Sequence, residues 1–359
     1  MSSMYFSVGP QHPGSGHFRM KITLQGDIIL NAEPDPGFVH RSVEKIAETR
    51  EYLQNVPLIE RQCLSDVSSV TLAYAMGIEE LLGIEVPPRA QYIRVIMCEL
   101  SRIMSHLYWL AILGIFVGHS TMFMWEFGDR DILITETAEK IAGARVSYSY
   151  IIPGGVRYDL PDGIKEHTMK TLDYFQGRLK EYDAIFFSNP IFKRRTKGVG
   201  VLSRSEAIRL GVTGPTLRGS GVRGDIRKDA PYAAYDELDF EIPVYSEGDS
   251  YSRSLVRFRE MKISSSIIRQ AFENLPEGDF KVKTRKKVPE GEVFSRVEAA
   301  RGELACYLIS DGTRKPYRLK MSTPSFRNLP GFSLMKGCML ADMPPIYMSL
   351  DYWPLETDR

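Results

Sequence analysis

The chain has 359 residues, 43% hydrophobic and 25% charged, which is ordinary for a globular protein with a sizeable core, in one large domain or two closely packed ones. A net charge of +1 gives no support to nucleic-acid binding, which usually shows a strong basic bias. The four cysteines, Cys63, Cys98, Cys306 and Cys338, lie far apart and form no C-x-x-C pair, so a reduced, intracellular chain without disulfides is expected, and no basic-then-apolar signal segment opens it.

In chain order, "HFRMKITLQGDIILNAEPD" alternates around Gln25-Gly26-Asp27 and predicts a β-hairpin. From about Val39 the period turns helical, and "SVEKIAETREYLQN" predicts one helix capped by Ser42 and ended by Asn55-Val56-Pro57. Further helical patterns cover about 58–83, 88–117, 129–148, 162–186 and 250–274. The apolar run "LYWLAILGIFVG", Leu107 to Gly118, is too short to span a bilayer and reads as core helix. "IIPGGVRYDLPDG" reads as a loop, and "GVTGPTLRGSGVRGDIRKDAPY" as irregular chain whose glycines permit close backbone approach. Its G-S-G-x-x-G run follows no clear strand, so a phosphate loop is poorly supported. "DFKVKTRKKVPEGE" reads as a charged connection, and "GELACYLISDGTRKPYRLKMSTPSF" as two strands around Asp311-Gly312. The expected fold class is α+β, mainly α, divided as an N-terminal hairpin region 1–38, a helical core 39–280 and a C-terminal β region 281–359, packed as one domain.

The stretch "IERQCLSD", Ile59 to Asp66, is almost a C-x-x-C metal half-site with a carboxylate in place of its second thiolate. The last nine residues, "DYWPLETDR", supply a counterpart. [NiFe] hydrogenase large subunits hold their metals with thiolates from an E-R-x-C-G-x-C segment and a terminal D-P-C-x-x-C-T-D/E-R segment, and soft thiolates suit such metals. Here Glu60, Arg61 and Cys63 fit the first frame, with Asp66 at its second cysteine. Asp351, Thr357, Asp358 and Arg359 fit the second, with Trp353 and Glu356 at its cysteine positions. With Cys63 alone left, no nickel site is expected. A hard-metal site from Cys63, Asp66 and Glu356 is a weaker alternative, because such an acid pair can equally hold an arginine or take protons.

This loss within an intact frame resembles the D-type catalytic subunit of complex I-like oxidoreductases, which is related to hydrogenase large subunits. "VGPQHP", "FVHRSVEK", "REYLQN", "PPRAQYIRV", "ELSRIMSHL", "PGGVRYDLP", "LRGSGVRGDIRKDAPY" and "RGELACYLISDG" carry it in order along nearly the whole chain. Each motif alone has a packing reading; their order is what is specific. The resemblance implies a hydrogenase-like helical core with β-hairpins near both ends. It also implies a subunit without a prosthetic group of its own, placed against a small B-type partner that carries a [4Fe-4S] cluster. A C-type accessory subunit and an H-type membrane subunit are further implied partners. A lipid-soluble acceptor, a quinone or methanophenazine, would be reduced between this subunit and its small partner, on the cytoplasmic face of the membrane and coupled to ion pumping.

The sequence departs from that family where the acceptor would sit. "QHPGSGHFRM" is one residue short, so His17 falls one place late, although it can still replace the usual pocket histidine. A customary tyrosine aligns with Leu64, the aspartate partnered with the histidine aligns with Phe116, and a histidine near the cluster aligns with Ser147. Hydrogen-bonding groups have become apolar, which favours an acceptor with ring nitrogens, as in archaeal relatives that oxidise a reduced deazaflavin and reduce methanophenazine. The resemblance assigns acceptor binding to His12, His17, Cys63, Leu64, Phe116 and Trp353, and proton chemistry to His17, Asp66 and Glu356. Arg41, Arg61 and His106 are expected on the cluster side, and no residue is assigned to a metal. The former nickel cavity is expected to have become the head-group end of the acceptor pocket. A non-catalytic scaffold in a membrane-bound hydrogenase-like complex is the competing reading.

Overall fold

A computed structural model describes residues 3–11, 16–131 and 135–359 of the protein. The N-terminal hairpin forms where alternation predicts it. Strands β2 (Arg19–Gln25) and β3 (Ile28–Asp35) pair antiparallel across Gly26, whose φ of 60° suits the tight turn. Met20, Ile22 and Leu24 face the core, and β1 (Met4–Val8) adds an outer strand to β2.

The expected helix from Ser42 is instead two, α1 (Val43–Ala47) and α2 (Tyr52–Ile59). Ser42 has φ of 54° and makes no cap bond, whereas Glu51 and Gln54 form a reciprocal capping box that starts the chain afresh at Tyr52. Pro57 lies inside α2 rather than ending it. A short 3₁₀ turn at Glu60–Gln62 follows, and α3 (Val67–Leu82) starts only at Asp66, whose carboxylate accepts from the Ser69 amide at 3.4 Å.

Helix α4 (Pro88–Phe116) begins with its proline at N1 and contains the apolar run. It has the length and composition of a membrane span, but 89% of its most apolar window is buried inside the protein. The pattern expected over 129–148 resolves into α5 (Ser120–Arg130) and α6 (Glu136–Ala142). A small β4–β5 pair (Ile151–Ile152, Gly155–Val156) precedes α7 (Ile164–Tyr182), which runs into a π turn at Asp183–Phe187. Short helices α8 (Pro190–Thr196) and α9 (Arg204–Leu210) follow, and α10 (Pro215–Arg218) and α11 (Ile226–Asp229) give short turns to the stretch expected to be irregular. Helix α12 (Ser250–Glu273), capped by Asp249, packs along α4.

The C-terminal sheet has a strand beyond the two expected. β6 (Gly291–Ala299) pairs with β7 (Gly302–Ser310), which pairs with β8 (Arg318–Ser322). Val293, Ser295 and Val297 point inward in strict alternation, a signal masked by the neighbouring charges. The β6–β7 turn is Ala300-Arg301, and it is driven into the core. A Cβ on Gly214 would come within 2.4 Å of Gly302 Cα, so this tip packs backbone to backbone against the glycine-rich segment. Helices α13 (Pro324–Asn328), α14 (Met343–Leu350) and α15 (Pro354–Asp358) close the chain. One apolar cluster runs from Val8 through α3, α4 and α12 to Tyr352, drawing on all three sequence regions.

Candidate functional site

The four positions expected to match hydrogenase cysteines, Cys63, Asp66, Trp353 and Glu356, gather around the β6–β7 tip. Arg301 Nη1 lies 3.3 Å from Cys63 Sγ, 3.0 Å from Ser65 Oγ and 3.4 Å from Glu356 Oε1. Arg301 Nε is 3.1 Å from the Asp351 carbonyl and 3.3 Å from its carboxylate. The guanidinium also lies 5.0 Å from the centre of the Trp353 ring. Asp66 holds the tip by accepting from the Ala300 amide at 2.7 Å.

A cation therefore stands where those frames would meet around metal. Burial opposes its charge, but the carboxylates of Asp351 and Glu356 hold Arg301 well above its ordinary pKa. Burial, reinforced by Glu356, pushes the Cys63 thiol well up, so it is protonated. Burial also raises Glu356 against the pull of Arg301. Cys63, Asp66 and Glu356 are each at most 1% exposed, and none lines the neighbouring cavity. The expected conversion of the metal position into a pocket is corrected here: close packing forbids a void, and a guanidinium fills it.

The cavity lies alongside. About 340 Å³ opens between the N-terminal sheet, α4 and the C-terminal segment. His17 and Leu64 stand on its wall together with Tyr108 from α4 and Tyr352 and Trp353 from the tail. Tyr108 meets Trp353 edge-on, with ring centres 5.5 Å apart. Trp109 donates to the Met348 carbonyl at 2.6 Å, tying α4 to α14 at the cavity. Of the residues expected to bind the acceptor, His17, Leu64 and Trp353 share this wall. Phe116 lies off it, with its ring 6.4 Å from that of Tyr347, and His12 falls outside the described residues. Tyr108 escaped the sequence reading because it lies in the run Leu107 to Gly118, which looks apolar on every face. Its place on one cavity wall with Leu64 was not visible in a linear pattern.

The expected cluster-side residues divide. Arg41 is exposed and donates to the Arg61 carbonyl at 2.7 Å, and Arg61 itself is half exposed beside Glu60. Next to them, the His40 ring bonds the Asp358 carbonyl and the Val39 amide donates to the Asp358 carboxylate at 2.9 Å. The C-terminal segment is thus tied to the surface that carries both arginines. His106 does not join that surface. It is wholly buried between α4 and α12, 2.7 Å from Glu260, with its pKa lowered by burial against the raising effect of that carboxylate.

Glu260 belongs to a buried ion network that the sequence did not announce. Arg218 pairs with Glu260 and with Glu298 at 2.7 Å, Arg227 pairs with Asp225 at 2.6 Å and with Glu99 at 3.1 Å, and Glu99 lies 3.3 Å from Arg102. The segment 211–232, which looked irregular, supplies Arg218, Asp225 and Arg227, and its lack of regular structure is offset by these charges.

Comparison with known proteins agrees with this geometry. The family model for the respiratory-chain NADH dehydrogenase 49 kDa subunit matches residues 117–289 and 280–359. The D-type subunit of the F(420)H(2) dehydrogenase of Methanosarcina mazei is 42% identical, across 100% of this chain and 98% of its own length. The D-type subunit of an NADH-quinone oxidoreductase of Dehalococcoides mccartyi is 43% identical, across 99% of this chain and 98% of its own. Among solved structures, a chain of the membrane-bound sulfane sulfur reductase, an archaeal respiratory membrane complex, superposes with a TM-score of 0.96 at 39% identity, covering 99% of this chain and 98% of that one. Sequence similarity and fold lead to one conclusion: the chain belongs to the respiratory-chain NADH dehydrogenase 49 kDa subunit family and is a subunit of a complex I-like oxidoreductase.

Proposed function

We propose that the chain is the acceptor-site subunit of a membrane-associated, ion-pumping complex. In this reading it passes electrons from a [4Fe-4S] cluster in a small B-type neighbour to a lipid-soluble acceptor, methanophenazine or a quinone. The chain itself holds no prosthetic group, and C-type and H-type subunits complete its surroundings on the cytoplasmic face of the membrane.

The observation that carries the reading is the cavity beside Arg301. Its walls are aromatic and aliphatic, which suits a flat ring, and a histidine and a phenol stand on them as protonable groups. The named relatives act with different partners, including F(420)H(2), a quinone and sulfane sulfur. An apolar ring fits these walls better than a sulfur chain, because Cys63 is sealed away from the cavity.

Leu64→Asp in the assembled complex tests this. Leu64 is 37% exposed on the cavity wall, so the substitution costs little folding stability while placing a charge against the acceptor. Turnover with a soluble acceptor analogue should fall by about tenfold or more, on the scale of a desolvated charge, while donor-driven reduction of the partner's cluster persists. Unchanged turnover places the acceptor elsewhere.

A further inference from the structure

We propose that the basic segment 281–287 and the apolar cleft beside it dock an acidic segment of a neighbouring protein, which inserts one aliphatic or aromatic side chain. The inference goes beyond the acceptor-cavity reading and does not depend on it.

Five of the seven residues in 281–287 are cations and none is an acid, in a chain whose net charge is only +1. All five are exposed. Lys281 is engaged, donating to the Arg157 carbonyl at 3.3 Å. Among the described residues no carboxylate pairs with Lys283, Arg285, Lys286 or Lys287. Blocks of like charge repel, and they commonly form disordered interaction tails.

This block is pinned instead. The Val282 amide donates to the Gly154 carbonyl at 2.9 Å, and the Val156 amide to the Phe280 carbonyl at 3.1 Å. A Cβ on Gly155 would lie 2.3 Å from the Phe280 carbonyl oxygen, so the two backbones touch. At the other end the Val288 amide donates to the Thr313 carbonyl at 3.2 Å, and Ser310 Oγ donates to the Val288 carbonyl at 2.9 Å. The cations are displayed on fixed backbone, which a partner need not order on binding.

Arg285 and Lys286 line a cleft of about 130 Å³ together with Leu53, Ile78, Leu82 and Val288. Ile78 and Val288 are 2% and 1% exposed and Leu53 is 50% exposed, so the cleft runs from a sealed apolar end to an open rim. Its one acid, Glu51, is already paired with Arg314 at 3.3 Å. Sites for cofactors and small ligands run to about 300–1,000 Å³; this one matches a single side chain. An apolar anchor inside a charged rim is the usual anatomy of a protein interface, and the unpaired cations select carboxylates around that anchor. A membrane-inserting face would need several exposed apolar side chains, and on this cleft Leu53 is the only large one.

Helix α2 joins the cleft to the surface of Arg41 and Arg61. Tyr52 and Leu53 open the helix at the cleft, and Ile59 closes it beside Glu60 and Arg61. Its 8 residues span about 12 Å. A protein seated over the two arginines therefore reaches the cleft directly.

The test is zero-length carbodiimide crosslinking of the assembled complex, which joins a lysine to a carboxylate only where the two touch, with the joined peptides mapped by mass spectrometry. Lys283, Lys286 and Lys287 should join an acidic stretch of a neighbouring subunit that carries an apolar residue close to the joined carboxylate. Lys283→Glu with Lys286→Glu should lower the partner crosslink at Lys287 by about tenfold or more, because carboxylates then face carboxylates. Leu53→Asp should lower it similarly, whereas Leu53→Met, which keeps the rim apolar, should retain it. These positions are exposed, so the melting temperature of the purified chain should not move. Crosslinks confined to Glu51 or Glu290 of this chain overturn the proposal, and so does a partner crosslink that Leu53→Asp leaves intact. Sedimentation of the purified chain with phosphatidylglycerol vesicles, abolished by the two charge reversals, assigns the segment to a membrane surface and equally overturns it.

Discussion

Arg301 Nη1 stands 3.3 Å from Cys63 Sγ, a guanidinium in contact with a buried thiol. The contact joins a hairpin tip to the 3₁₀ turn before α3, 238 residues apart in sequence. The cation pairs with Glu356, which would otherwise be buried without a counter-charge, and shares Asp351 with Arg257.

Arg301→Ala should therefore destabilise the chain by about 3–5 kcal/mol, the usual cost of removing one partner from a buried pair. Urea unfolding of the purified subunit, or the yield of assembled complex, reports it. Arg301→Lys should recover part of the loss, since it restores the charge but not the forked geometry. With the position filled by a guanidinium, metal analysis of the isolated chain should find neither stoichiometric nickel nor iron. Bound metal at unit stoichiometry contradicts the packing described.

Glu126 gives a pH prediction. It is 0% exposed on α5, and neither carboxylate oxygen has a hydrogen-bond partner. Burial, helped by the charge of Asp129, raises its pKa well above the ordinary carboxyl value. The folded state thus holds a proton that the unfolded chain releases near pH 4.5. Stability contributed by this group is full below that pH and declines as pH rises towards the folded value. Glu126→Gln should raise the melting temperature at pH 7–8, with a gain on the order of 1–3 kcal/mol, and the gain should vanish at pH 4. An equal effect at both values rules out ionisation as the cause.

Arg41 and Arg61 form a small cationic surface, tied together at 2.7 Å. On the proposal that the partner's cluster sits against it, Arg41→Ala should lower that cluster's reduction potential on the order of tens of millivolts, because a fixed cation favours the more negative reduced state. EPR-monitored redox titration of the assembled complex measures this. An unchanged potential removes Arg41 from the cluster's surroundings.

The sequence made some of this legible and hid the rest, for physical reasons. The β2–β3 hairpin, α4 and α12 followed from period and turn chemistry, which are local. The split at Glu51 was also local and was written in its capping box, but a continuous helical period across Thr49-Arg50 concealed it. β6 was obscured because lysines and glutamates upstream of it suggested solvent. Buried charge was the largest surprise. Arg218, Arg227 and Arg301 read as surface residues by default, and only their tertiary partners make burial tolerable. The same blindness misplaced the pocket: the frame residues do converge as the motifs imply, yet sequence alone cannot say that an arginine from a distant turn meets them there. His106 is a parallel case, a helix histidine whose role is set by Glu260 on α12.

The most direct measurement is photoaffinity labelling of the assembled complex with an azido-ring quinone, followed by mapping of the labelled peptides. Labelling should concentrate on segments containing His17, Leu64, Tyr108 and Trp353, and excess unlabelled acceptor should suppress it. Label that is suppressed by acceptor but maps wholly outside those four segments contradicts acceptor reduction in this cavity.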